Sequence, residues 1–325
     1  SGDADTLRID ATVDAGTSGS TITNTLSVDG VNETDKDPSN NTSNADNIVG
    51  LFNINGTVFE DIQFGGGSGR SFSAANNPEP KLGVTVELYN ANNGAFVADT
   101  VTNFAGEYQF KQVPNGNYFV RVANSTVQST RLGSSGSLIG VQTFRREFDG
   151  NNFINVTNEV GGSDPSKVDA GTNDTESDFS TLTSGNVVPQ SVSTITVQDA
   201  EVNNIDFGFN FNTVVNTNDI DQGSLRQAIN NINNLSNLGL QQDGLSIDFE
   251  HIIFNIPTTD VNYDGAAFTI TPASSLPDIT DSFTNINGST QTTFTGNTNP
   301  AVEDQSTGPE IIINGSNSTG SPILN

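Results

Sequence analysis

The side chains best equipped for chemistry in this sequence are carboxylates. Asp164, Asp169, Asp174, Glu176 and Asp178 fall within one polar stretch ending at Phe179, and Asp219 and Asp221 form a second acidic turn. Hard cations prefer several carboxylate and carbonyl oxygens, so calcium is the ion such stretches would take. The candidate ligands are Asp174, Glu176, Asp178, Asp219 and Asp221. The first stretch lacks EF-hand spacing, with its central Gly and terminal Glu, and a solvated loop is the alternative reading. Paired carboxylates can also cleave or eliminate glycosidic bonds without histidine. His251 is the only His and Cys is absent, which leaves Ser–His–Asp and Cys–His sites little to build on. No Gly-x-Ser-x-Gly elbow occurs. Gly65-Gly-Gly-Ser-Gly precedes neither a lysine nor a helix start, so it reads as a flexible turn and not a phosphate loop. No catalytic residue is expected.

The balance of charge narrows the partners. The 325 residues carry 38 acidic and 11 basic side chains, a formal net charge of −27. No basic stripe exists for nucleic acid, and an anionic membrane surface is disfavoured for the same reason. No segment approaches the ~18 apolar residues of a membrane span. Without Cys, stability has to come from sheets, cations or partner chains. Hydrophobic residues make up 33% and come as short runs of Val, Ile, Leu and Phe, which suits thin β-layers. Met is absent, so the chain is expected to be a processed product or a window of a longer one. Asn-x-Ser/Thr triplets recur, as at Asn55, Asn155 and Asn173, and would accept glycans on an exposed surface.

The elements that must position these groups read as strands. Gly56-Thr-Val-Phe-Glu-Asp, Gly83-Val-Thr-Val-Glu-Leu-Tyr, Thr102-Asn-Phe-Ala-Gly-Glu-Tyr-Gln-Phe and Pro114-Asn-Gly-Asn-Tyr-Phe-Val-Arg-Val alternate apolar and polar residues between Gly, Asn and Pro. Val84, Val86 and Leu88 share a face, as do Tyr108 with Phe110, and Tyr118 with Val120 and Val122. Asn115-Gly116 reads as a hairpin-type turn. In this order the four pieces resemble the B-type repeat of Gram-positive surface adhesins, the SdrD-B or Cna-B-like family. The resemblance covers about Asn53 to Val122 and implies a prealbumin-like β-sandwich serving as a stalk or spacer. Where that family often has an Asp-rich calcium loop, this chain has Asp61 followed by Ile-Gln-Phe-Gly-Gly-Gly. Lys81 and Lys111 are the only lysines in the stretch, and no Lys–Asn cross-link is expected from them.

The flanks read differently. Leu7, Ile9, Ala11 and Val13 share a face, alternation resumes at Ile22-Thr-Asn-Thr-Leu-Ser-Val, and Asp37-Pro-Ser-Asn-Asn-Thr follows. The later part of this run is similar to the closing half of a DUF11-type repeat, which implies an Ig-like sandwich left incomplete in residues 1–50. Residues 51–212 are expected to form the B-like sandwich. A long insertion, 124–200, carries weak strands at Leu138–Phe144, Phe153–Val156 and Val192–Val197. Ile205, Phe207, Phe209 and Phe211 would then line its last strand. Over 213–325 a strand, an acidic turn and a helix capped by Ser224 or Asp221 lead into His251-Ile-Ile-Phe-Asn-Ile-Pro and Leu276-Pro-Asp-Ile-Thr. This order resembles the entry to right-handed parallel β-helix domains of bacterial adhesin-like proteins, in which the helix caps the first coil. The expected fold class is therefore all-β: tandem Ig-like and prealbumin-like sandwiches, then the capped start of a parallel β-helix.

Incomplete sandwiches and solenoids need neighbours. The expected function is a structural subunit of an extracellular bacterial filament or cell-surface fibre. Copies would join head to tail by donating a strand, Leu7–Val13 or Glu310–Asn314, to the next. The alternative is a carbohydrate-binding or carbohydrate-cleaving module of a large surface protein, with surface glycans as partners. The absence of Trp and the presence of only 4 Tyr leave few aromatic platforms for it.

Overall fold

The computed structural model describes residues 20–27, 37, 39, 41–48, 50–298 and 309–317. The expected strand Leu7–Val13 lies outside them. Ile22 and Leu26 alternate with Thr and Asn in β1 (Thr21–Ser27), which pairs antiparallel with β2 (Thr42–Ile48). Among the described residues no third strand joins this pair, and Leu26 is 59% exposed.

The next strand, β3 (Leu51–Glu60), is the axis of the larger unit. After it come β4 (Glu79–Pro80), β5 (Thr85–Asn90), β6 (Phe96–Val101), β7 (Glu107–Pro114) and β8 (Gly116–Val122). The following stretch adds β9 (Val141–Phe148), β10 (Phe153–Val156), β11 (Val168–Asp169), β12 (Val187–Val188), β13 (Ser191–Val197) and β14 (Phe207–Asn210). One sheet runs β10-β9-β14-β3, with β7 and then β4 along the far edge of β3. The other runs β13-β8-β5-β6. Pairing within both sheets is antiparallel except at β14, which runs parallel to β3 with Phe207 opposite Val58. The stretch 124–200 thus supplies strands to both sheets.

Period-two alternation decides which side chains meet between the layers. Ile54 and Val58 face Val84, Val86 and Leu88, with Tyr108, Phe110, Val120, Val122, Ile195, Phe207 and Phe209 in the same core. The hairpin expected at Asn115-Gly116 does not form. β7 pairs with β3 and β8 pairs with β5 and β13, so the turn is a corner that carries the chain from one sheet to the other. Asn115 instead donates its side-chain amide to Asp199 at 2.6 Å.

The C-terminal stretch holds β15 (Thr213–Val214), α1 (Leu225–Asn234), β16 (Glu250–Phe254), β17 (Phe268–Ile270), β18 (Thr284–Asn287), α2 (Ser289–Thr295) and β19 (Ile311–Ile313). Here the strand ladders are parallel: β15-β16-β18 in one sheet, β17-β19 in another. Ser224 caps α1, its hydroxyl accepting from the Gln227 N–H at 3.2 Å. Leu225, Ile229 and Ile232 lie at helical spacing and bury against Val214, Ile252, Phe254 and Phe268. The segment Glu310–Asn314 is not a free donor strand. The Phe268 N–H donates to the Glu310 carbonyl at 2.7 Å and the Asn314 N–H to the Ile270 carbonyl at 2.8 Å, so the chain's own β17 holds it.

One glycine tests the β3–β14 junction. A Cβ on Gly56 would stand 2.0 Å from the Ile205 carbonyl oxygen and 2.6 Å from the Tyr108 hydroxyl, whereas one on Gly171 would meet nothing within 4 Å. Gly56→Ala is expected to cost about 2–4 kcal/mol in urea unfolding, and Gly171→Ala less than about 0.5 kcal/mol. Equal midpoints for the two variants would refute the packing described here.

Candidate functional site

The stretch with the densest chemistry is the join between the sandwich and the parallel-strand unit. It starts at the end of β3, where Glu60 and Asp61 are adjacent and both buried. A carboxylate out of water must be matched by donors or a cation. Glu60 is met by Lys81 at 2.5 Å and by the Ser129 hydroxyl at 2.9 Å, and Lys81 is equally buried. Asp61 accepts two bonds from Arg70, at 2.8 and 2.5 Å. Arg70 then reaches across to Asp243, which also accepts from the Asn76 amide at 2.9 Å. Two residues beyond Ser129, Arg131 crosses the join and donates to both oxygens of Glu250 at 3.0 Å. It donates further to the carbonyls of Ser236 and Leu235. Burial pushes the Asp61 and Glu250 carboxyls above their usual range, and Arg70 and Arg131 offset only part of that rise.

Amides close the rest of the join. Asn231 on α1 donates to the carbonyls of Ile139 and Phe211, at 2.9 and 2.7 Å. Asn255 and Gly67 exchange bonds of 2.6 and 3.1 Å, and Gln242 donates to the Phe64 carbonyl at 2.8 Å. Phe64, Val141, Val160, Val215 and Ile253 form an apolar cluster between the two units. A cavity of about 510 Å³ opens beside α1, lined by Val168, Asp169, Asp221, Gln222 and Arg226 among others.

The sequence-predicted ligands do not assemble. Asp174 is exposed and accepts from the Thr172 hydroxyl at 2.8 Å, while Glu176 and Asp178 are exposed on the same loop. Asp219 accepts from Arg226 at 2.7 Å, and Asp221 is exposed in a left-handed backbone conformation with φ of 76°. Among the described residues no group of three or more His, Cys, Asp or Glu is placed to hold a metal ion. The reason is that another part of the acidic stretch is pinned by Arg121. This fully buried guanidinium bonds Glu87 at 2.7 Å, Asp169 at 3.1 Å and the Ala170 carbonyl. Glu87 also accepts from the Tyr89 hydroxyl and the Asn173 N–H, and Phe179 packs on Tyr89 and Phe119. The loop is thereby laid over the outside of β5 and β8. His251 contacts the Asn285 side chain through Nδ1.

Sequence reasoning missed Glu60, Asp61, Arg70, Lys81, Arg131 and Glu250 as a group. The signal available was the scarcity of cations: with 38 acids and 11 bases, a buried basic residue has to be holding something together.

A family profile described as the second β-sandwich domain of the NOMO1-like subunit of the BOS complex matches residues 52–135, from β3 through β8 and into the loop beyond. Solved structures with some likeness are β-sandwich proteins. A candidate carbohydrate-binding protein of Pseudomonas aeruginosa shares 12% identity at a TM-score of 0.22, over 49% of this chain and 89% of that one. A minor pilin of Streptococcus agalactiae shares 10% identity at 0.22, over 56% of each chain. The T6 backbone pilin of Streptococcus pyogenes shares 13% at 0.22, over 51% of this chain and 36% of that one. No curated protein matches. No helix among the described residues is long and apolar enough to cross a membrane.

One measurement tests the join and another the Arg121 cluster. Arg131→Met leaves Glu250 buried and unpaired, an expected loss of about 3–5 kcal/mol, and adding Glu250→Leu should restore most of it. A silent single variant would contradict the account. Asp169 supplies a pH test. Burial raises its carboxyl from 3.8 to about 6, despite Arg121 and two backbone N–H groups. The folded state therefore holds a proton that the unfolded state has lost, and stability falls as pH rises through that window. Asp169→Asn removes the titration. The Tm of the wild type should drop relative to the variant between pH 4 and 6 (flanking the values above), and a constant difference would refute the assignment.

Proposed function

We propose that this chain is a rigid, non-catalytic structural module of an extracellular bacterial filament or cell-surface fibre. The observation that carries the reading is the join. Force applied to the sandwich passes into the parallel-strand unit through Arg131–Glu250, the Arg70 bridge from Asp61 to Asp243, and the Asn231 and Asn255 bonds. Bonds of this kind between side chains and backbone fix orientation as well as proximity. A flexible linker would do neither.

In this reading residues 1–50 belong to an Ig-like sandwich, 51–212 form a prealbumin-like one, and 213–325 open a parallel β-helix. Support for the last comes from two parallel ladders under a capping helix, β15-β16-β18 and β17-β19. Copies join head to tail by strand addition. The β1–β2 pair supports this, because two strands alone are marginal in water and the Leu26 side chain stands uncovered. Leu7–Val13 is the donor in this scheme.

Electron microscopy of the purified chain is the test. Filaments whose axial repeat matches one subunit are expected, and Ile9→Asp, which puts a charge on the donor's apolar face, should abolish them. Discrete monomers that stay folded at micromolar concentration would overturn the proposal.

A further inference from the structure

Cations are scarce in this chain, and nearly all those described are committed. Arg70, Lys81, Arg121, Arg131, Arg145, Lys167 and Arg226 each meet a carboxylate within 4 Å. Arg8 and Lys36 lie outside the described residues. Among the described residues that leaves Lys111 and Arg146 without an ion pair, and they line two adjoining depressions on the same sheet. Lys111 borders one of about 570 Å³, Arg146 one of about 520 Å³, and Thr57 and Asn204 line both.

The depressions lie along the outer face of the β10-β9-β14-β3-β7 sheet, the Lys111 one bordered also by Thr100 and Val101 of β6. On β7, Glu107, Gln109 and Lys111 alternate outward from the buried Tyr108 and Phe110. Side-chain amides continue across the strands: Gln109 donates to Asn55 at 2.7 Å, and Asn55 donates to Asn203 at 2.8 Å. Each of these amides keeps further bonding capacity toward solvent. Asn204 and Asn155, further along the same face, have no hydrogen-bond partner for their side chains among the described residues. At the far end the Arg146 guanidinium lies 5.7 Å from the centroid of the Phe153 ring, which holds its plane while leaving its N–H edge open. Five strands at ~4.8 Å spacing make the face about 19 Å across, the length of several sugar units.

We infer that this face binds an anionic oligosaccharide, with its acid groups on Arg146 and Lys111 and its hydroxyls on the amides of Asn55, Gln109, Asn203 and Asn155. A guanidinium and an ammonium that close no salt bridge, in a chain of charge −27, select an acidic ligand. The row of amides supplies both donors and acceptors, which is what vicinal hydroxyls require. Each depression also holds one carboxylate: Glu107 lines that of Lys111, and Asp206 that of Arg146, where it accepts from the Thr57 N–H at 2.8 Å and is drawn to the Arg146 charge without closing an ion pair. The inference does not rest on the fibre reading, since a monomer would carry the same face.

The test is calorimetric titration of the full chain with an oligogalacturonate, a sulfated oligosaccharide and a neutral cello-oligosaccharide of equal length. One or both anionic probes should bind at least tenfold more tightly than the neutral one, and whichever binds better identifies carboxylate or sulfate as the acid group. Arg146→Gln and Lys111→Gln should each weaken that binding about tenfold with little change in Tm, because neither side chain closes a salt bridge in the fold. Raising the salt concentration should weaken it further. Three results would each overturn the inference: no binding of either anionic probe at millimolar concentration, equal affinity for the neutral probe, or variants that bind like the wild type.

Discussion

A buried carboxylate has to be met, and this chain has few cations with which to meet it. Four of them meet buried carboxylates, at three places. Lys81 and Arg70 neutralise Glu60 and Asp61 where β3 ends, Arg131 carries Glu250 across the join, and Arg121 holds the acidic loop over the outside of the sandwich. Desolvation makes such pairs weak sources of net stability, but removing one partner strands a buried charge. Their value lies in specificity. An apolar cluster like that of Phe64, Val141, Val160, Val215 and Ile253 would tolerate some sliding, whereas an Arg131 guanidinium bonded at once to both Glu250 oxygens and to the Ser236 and Leu235 carbonyls restricts the register.

Much of the sandwich was legible because period-two alternation records which face is wet. Val84, Val86, Leu88, Tyr108, Phe110 and the Ile205-to-Phe211 row are all buried as their spacing requires. The helix at Leu225 was legible from its Ser224 cap and its apolar spacing. Partner choice was not. Asn115-Gly116 has the residues of a hairpin turn, yet local chemistry cannot say that β7 and β8 enter different sheets. The placing of the acidic loop was hidden for a similar reason. Asp169 looks equivalent to Asp174 in sequence, but only Asp169 meets Arg121, a residue 48 positions away. Long-range ion pairs leave no periodic trace, so the buried pairs at the join were invisible until the fold brought them together.

Two kinds of surface follow from the same shortage of cations. Where a basic side chain closes a salt bridge it fixes structure; at Lys111 and Arg146, which close none among the described residues, it borders an open depression. The outer sheet face and the join are separate features, one open to solvent and one closed. A stiff scaffold that displays a polar face is a consistent design for a module exposed to the outside of a cell.

The central claim is that the sandwich and the parallel-strand unit behave as one body. Differential scanning calorimetry of the chain tests it most directly. A join of this kind makes the two units unfold together, giving one dominant transition with equal calorimetric and van't Hoff enthalpies. Two resolved transitions, neither shifted by Arg131→Met, would show that the units are independent and that the buried pairs do not couple them.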